Sequence, residues 1–198
     1  MFSVSRKTFK FLDFMDTSNN FFTPQRIWSV TEVLNSHVSP IPKSPGVYFW
    51  CFQNVTEFFP TGSYITIKGF PLLYIGIAPS RPFSKSNLKT RIIKSHLQRD
   101  ASRSTLRLSL GCLLSEALNI NLKIINGRYT FGNGEKVLSE WIKKSAYVFW
   151  VEHPEPWQIE EELIHYSKPP LNLEHNQDHP FYLTLSFARD RARKSAGQ

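Results

Sequence analysis

The sequence predicts an α+β domain: a small three-stranded antiparallel sheet with helices packed around it. The runs Gly46–Phe52 (GVYFWCF), Pro71–Ala78 (PLLYIGIA) and Ala146–Val151 (AYVFWV) are short, aromatic and β-branched, the composition of buried strands. Between and after them lie segments whose leucines and isoleucines recur at helical spacing. Proline and glycine clusters separate the two kinds of segment, which suits a sheet with helices flanking it.

Residues 1–40 carry Phe9, Phe11, Phe14, Phe21, Phe22 and Trp28 without a clean period, and Thr31–His37 reads as a short helix. The run SPIPKSPG, Ser39–Gly46, breaks any helix and marks a boundary. Residues 1–44 are therefore expected to be an N-terminal extension, 45–175 the main domain, and 176–198 a basic C-terminal helix. The first two strands are expected to pair antiparallel, with 53–69 an insertion between them that holds a turn at Pro60-Thr61-Gly62 and an extra strand at Tyr64–Ile67. Asn87–Gln98 reads as a helix with Leu88, Ile92, Ile93 and Leu97 inward, and Ser104–Leu118 as a second. Asn126-Gly127 and Gly132–Gly134 flank a hairpin or loop, and Glu135–Lys144 reads as a third helix. Pro154 and Pro156 end the third strand. A fourth helix runs Trp157–Ser167, with Pro156 where a helix start tolerates proline, until Pro169-Pro170 stops it. Phe181–Lys194 reads as the last helix.

At 198 residues the chain suffices for one domain with a real core plus extensions. Its 41% hydrophobic content is that of a folded protein, and no stretch reaches the roughly 18–20 apolar residues needed to cross a bilayer. Asp13 and Asp16 interrupt the N-terminal segment, which has neither a continuous apolar run nor a small-residue cleavage site. A cytoplasmic protein is therefore expected, with no membrane partner. Cys51 and Cys112 form no CxxC pair and read as small buried hydrophobes rather than a disulfide or zinc site.

The net charge is +8, and +7 of it lies between Arg81 and Arg107, where only Asp100 opposes Arg81, Lys85, Lys89, Arg91, Lys94, Arg99, Arg103 and Arg107. Such a concentration is the expected footprint of phosphate binding, with a solvated surface as the plain alternative. His175 and His179 are four apart, a spacing zinc sites use, but no cysteine or third histidine stands nearby. Trp141, Trp150 and Trp157 read as core rather than base-stacking platforms.

Several polar residues sit where packing does not demand them: Tyr48 and Tyr74 on strands, Arg91 and Glu160 on helices, and Asn172 after a Pro-Pro stop. In this order the chain resembles the GIY-YIG nuclease family over about 46–173. Gly46-Val47-Tyr48 stands for the first motif and Tyr74-Ile75-Gly76 for the second. LKTRI is similar to the family's arginine helix, IEEELI to its glutamate helix, and KPPLNL to its closing Pro-x-x-Asn segment. The family's glutamate is separated from Leu-Ile by two residues, which picks Glu160 over Glu161 and Glu162. There are departures. The stretch between Tyr48 and Tyr74 is longer than the family's hairpin, and so is the loop from Gly76 to Arg91. The family's histidine or tyrosine four residues after the arginine is Ser95 here, with His96 one further. At about 100° per residue that shift turns His96 well around an α-helix, so His96 reads either as a substitute or as a phosphate contact.

The resemblance implies a metal-dependent endonuclease that hydrolyses phosphodiester bonds in DNA. Glu160 would hold one Mg²⁺ or Mn²⁺, since a carboxylate is a hard oxygen ligand. Arg91 would stabilise charge on the phosphate through its fork of donors. Tyr48 would act as general base or proton relay, Tyr74 would orient water or phosphate, and Asn172 would hold the site together. Gly76 would permit close backbone approach. Lys85, Lys89, Lys94, Arg99, Arg103 and Arg107 would contact the DNA backbone. A restriction or defence role fits by analogy, and a cutter of palindromes would be a homodimer. Two other readings stand beside this one: a nucleic-acid-binding module of the same fold without catalysis, and an interaction protein whose basic patch meets an acidic partner.

Overall fold

A computed structural model of the chain describes residues 20–197 apart from Thr56, Pro60, Thr61 and Ser63, so Phe9, Phe11, Phe14 and the predicted turn at 60–62 fall largely outside the described residues. The elements are β1 (Trp28–Ser29), α1 (Val30–Asn35), β2 (Gly46–Phe52), β3 (Thr66–Ile67), β4 (Phe70–Ala78), a π-helix (Thr90–Leu97), α2 (Thr105–Leu113), β5 (Lys123–Ile125), β6 (Arg128–Thr130), α3 (Gly134–Ser145), β7 (Ala146–Glu152), α4 (Glu160–Ser167) and α5 (Tyr182–Ala196). The α+β class holds, but the main sheet has five strands in the order β1-β7-β2-β4-β3, not the three expected. The three predicted strands are its centre, all antiparallel, with Tyr48 opposite Gly76 on β4 and Trp150 on β7. The added strands are two-residue edges: β1 against β7, too short to show any periodicity in sequence, and β3 against β4, which falls within the extra strand expected at Tyr64–Ile67.

β2 is buried at every position because both faces of the sheet are covered, which is why it reads as an unbroken apolar run rather than an alternation. One face carries Tyr48, Trp50 and Phe52 into the larger core with Leu88, Ile92, Leu106, Leu138 and Leu185 from the helices. The other carries Val47, Phe49 and Cys51, against Leu163 and Ile164 of α4. Phe21 and Phe22 pack on this second core. The insertion after β2 joins the main core through Val55 and Phe59, and Phe59 lies 5.0 Å from Phe181 at the start of α5. Both cysteines are buried and free. Asn126 and Gly127, both at positive φ, make the tight turn of the β5–β6 hairpin.

The C-terminal helix α5 packs on α2 and brings Leu185 fully into the main core. Its arginines thus lie beside the start of α2. Among the described residues no helix is long and apolar enough to cross a membrane.

Candidate active site

Tyr48 and Gly76 face one another across the β2–β4 pair. The Tyr48 ring lies over Gly76: a Cβ there would collide with the hydroxyl and sit 2.5 Å from Cζ. The close approach that this glycine permits is therefore that of the tyrosine ring. Gly46 is also constrained, since a Cβ would strike the Val151 carbonyl and Leu88.

The segment after β4 settles where His96 points. Its hydrogen bonds run over five residues, as in Gln98 N–H to the Ile93 carbonyl at 3.0 Å, so the helix is π and not α. In a π-turn the residue five after Arg91 occupies the place that the residue four after it takes in an α-helix. His96 is consequently directed inward and fully buried, while Ser95, half-exposed, bonds back to the Thr90 carbonyl at 3.5 Å. The His96 Nε2 lies 2.8 Å from the Tyr48 hydroxyl, and its Nδ1 lies 2.7 Å from Ser104 Oγ. Ser104 also caps α2 by accepting from Arg107 N–H at 3.1 Å.

Tyr74 is opposite Trp50, on the same face as Tyr48, and its hydroxyl meets Thr105 Oγ1 at 3.1 Å. Burial pushes both phenols above their ordinary range, with Tyr74 adding to the effect on Tyr48. Burial, then Arg91 and Arg107, hold His96 well below its ordinary value, so the imidazole is neutral near pH 7. Arg91 is held more firmly protonated, chiefly by Tyr48. Glu160, the first residue of α4, is pushed up to about 7 by burial and then by Glu174, against the pull of His175 and Arg91. Its carboxylate makes no hydrogen bond or ion pair among the described residues. Arg91 and Glu160 both bear on the charge of Tyr48 and of Tyr74, so the four side chains lie near one another.

Asn172 joins the site indirectly. Its Oδ1 accepts from Ile75 N–H and its Nδ2 donates to the Ile75 carbonyl, both at 2.9 Å, while Leu171 N–H reaches the Leu73 carbonyl at 2.9 Å. β3 covers only the first residues of β4, so this segment satisfies the free strand edge between Tyr74 and Gly76.

Of the residues expected to meet DNA, Lys85, Lys94, Arg99 and Arg103 are exposed and Lys89 is half-buried. Arg107 is a correction. It is 1% exposed and its guanidinium is spent inside the protein, so it is closed to a backbone phosphate. Nε and Nη2 donate to Glu135 Oε2 at 3.0 and 2.6 Å, Nη2 to the Glu135 carbonyl at 2.9 Å, and Nη1 to the His96 carbonyl at 3.3 Å. The hydrophobic spacing of α2 already hints at this, because Arg107 sits between Leu106 and Leu108 on a helix buried almost all round. Sequence reading also missed Ser104 as the partner of His96, and nothing in its local pattern marks it. His179 is buried and accepts from Phe181 N–H at 2.9 Å, a structural turn bond. Among the described residues no cluster of three or more His, Cys, Asp or Glu could hold a metal ion.

The family model described as the GIY-YIG catalytic domain matches residues 46–192, most of the chain, and the protein belongs to that family. It therefore carries a nuclease fold. Neither the curated proteins nor the solved structures contain a match to it.

Proposed function

We propose that this protein is an endonuclease that hydrolyses phosphodiester bonds in DNA with a divalent ion, Mg²⁺ or Mn²⁺. The observation that carries the reading is the meeting of Arg91, a hydrogen-bonded Tyr48–His96 pair and an unpaired, largely buried Glu160 around the β2–β4 strands.

Glu160 fits a hard cation. A carboxyl held mostly out of water, with no donor or cation bonded to it, gains a partner for its charge when an ion binds. One carboxylate is enough for Mg²⁺, which keeps several waters and takes phosphate oxygens. When bound, such an ion supplies Lewis acidity at the phosphate and charge compensation for the leaving 3′-oxygen.

The chain's own residues do the rest. Arg91 binds the non-bridging phosphate oxygens and holds the growing negative charge. The attacking water forms the new O–P bond as its proton passes to the Tyr48 oxygen, and the phenolic proton moves to His96 Nε2. The bond from phosphorus to the 3′-oxygen breaks, and that oxygen takes its proton from solvent. The relay requires the tautomer in which His96 Nδ1–H donates to Ser104 Oγ, leaving Nε2 as the acceptor. The two resting proton affinities oppose this transfer, since the phenol is raised and the imidazole lowered. A phosphate anion beside Arg91 offsets part of the field that depresses His96, so substrate binding favours the relay. Tyr74 orients the phosphate or water, and Asn172 positions the Tyr74–Gly76 backbone. By analogy with compact family members, we assign the role to restriction or defence.

The test is cleavage of supercoiled plasmid with Mg²⁺ or Mn²⁺, beside an EDTA control and the Glu160→Ala and Arg91→Ala proteins. Metal-dependent nicking or linearisation by the wild type, lost in both folded variants, is the expected result. A wild type that binds DNA but cuts no plasmid, linear duplex, branched DNA or RNA under either metal overturns it in favour of a binding module.

A further inference from the structure

Beside the reaction centre lies an open cleft of about 560 Å³ whose lining includes Arg91 and Thr105, the partner of the Tyr74 hydroxyl. Four more arginines line it: Arg103 before α2, Arg128 in the hairpin, and Arg189 and Arg193 on α5. Among the described residues, no aspartate or glutamate lines it. Arg103 and Arg128 make no ion pair among the described residues, and Arg193 meets only Asp190, at 3.5 Å, with its guanidinium 5.9 Å from the Tyr129 ring centre.

Arg189 is the telling member. Its Nε is buried without a hydrogen-bond partner among the described residues. Burial, and then Arg193, weaken its hold on its proton. A guanidinium with a buried, unbonded Nε and a like charge beside it costs stability in the free protein, and such a cost is offset when an anion enters. The cleft is too open to be a closed small-molecule pocket, and its arginines come from three separate elements arranged along it.

The geometry points to this cleft as a second phosphate site, built from Arg103, Arg128, Arg189 and Arg193, that grips the sugar-phosphate backbone of the nucleic-acid strand to one side of the scissile phosphate. This rests on the nuclease reading for the position of the scissile phosphate, and on the cleft alone for phosphate binding. The arginines hold register and orientation and read no base. The Nε of Arg189 has no hydrogen-bond partner among the described residues, and the backbone phosphate is the partner it would take.

The test is binding of a labelled DNA duplex in EDTA across a salt series, for wild type and the Arg128→Ala, Arg193→Ala and Arg189→Met proteins. Lys123→Ala, exposed on β5 and outside the cleft, is the control. Each cleft variant is expected to flatten the slope of log affinity against log salt by about 0.9, one phosphate contact, with Lys123→Ala smaller. Arg189→Met keeps the apolar stem, so its Tm is expected to rise while its DNA affinity falls, an opposition that a purely structural arginine does not produce. With metal, plasmid cleavage is expected to show a raised KM at nearly unchanged kcat. Slopes and KM equal to wild type in all three cleft variants overturn the inference. A wild type that cuts nothing, yet whose cleft variants still lose slope, overturns the nuclease reading and leaves the phosphate site standing.

Discussion

Truncating Arg107 separates a structural arginine from a DNA-binding one. It lies in the basic stretch, yet its guanidinium is buried against Glu135 and the His96 carbonyl. Glu135 is itself a hub, for its Oε1 accepts from Ala101 N–H at 2.9 Å, Phe131 N–H at 3.0 Å and Thr130 Oγ1 at 3.1 Å. Arg107→Ala leaves that carboxylate, only 15% exposed, without its cation. Breaking a buried pair from one side costs about 3–5 kcal/mol, a large part of the roughly 5–15 kcal/mol that holds a domain folded. At about 2–4 °C per kcal/mol for a chain of this size, Tm should fall by roughly 6–20 °C. The double variant Arg107→Met/Glu135→Gln removes both charges and keeps an acceptor for the three donors, so it should recover most of the loss. Calorimetry or thermal circular dichroism reads the change, and the salt dependence of DNA binding is measured on protein that remains folded. An Arg107→Ala protein whose Tm stays within about 2 °C of wild type while its salt slope drops by about 0.9 would refute the reasoning and return Arg107 to the DNA interface.

Two further outcomes test the site. Because the Glu160 carboxyl is raised from 4.5 to about 7, the folded protein holds a proton there that the unfolded chain has released. Metal-free stability should therefore fall as pH rises from 4.5 to about 7, by up to roughly 3 kcal/mol, and level off above. Glu160→Gln should abolish this slope. Over the same window Mg²⁺ must displace the proton, so titration calorimetry should show affinity rising about tenfold per pH unit and then flattening; pH-independent affinity contradicts the ligand assignment. Gly76→Ala places a methyl against the Tyr48 ring and should displace its hydroxyl from His96. A kcat loss on the order of 10²-fold with unchanged metal affinity is expected, and near-wild-type turnover would mean that the Tyr48–His96 contact is dispensable.

The sequence by itself determined the three central strands and most of the groups proposed to react. GVYFWCF, PLLYIGIA and AYVFWV could be read because a strand covered on both faces must be apolar throughout, and composition alone records that. Tyr48, Tyr74, Arg91, Glu160 and Asn172 were legible because each lies within a short contiguous motif. The Asn126-Gly127 turn was legible because its backbone needs positive φ at both positions. Only the tertiary structure decided His96. Its direction depends on hydrogen bonds over five residues instead of four, and that choice is made by what the helix packs against, including Tyr48 and Ser104. The edge strand β1 forms by pairing with β7, and two residues carry no period. Arg107 and Arg189 are arginines like those around them in sequence. One is neutralised by Glu135, 28 positions away, and the other, beside Arg193 and the cleft, has an Nε with no hydrogen-bond partner among the described residues. Charge in a sequence records how many cations there are; whether each is spent inside the fold or kept for a ligand depends on which distant carboxylates the fold brings to it.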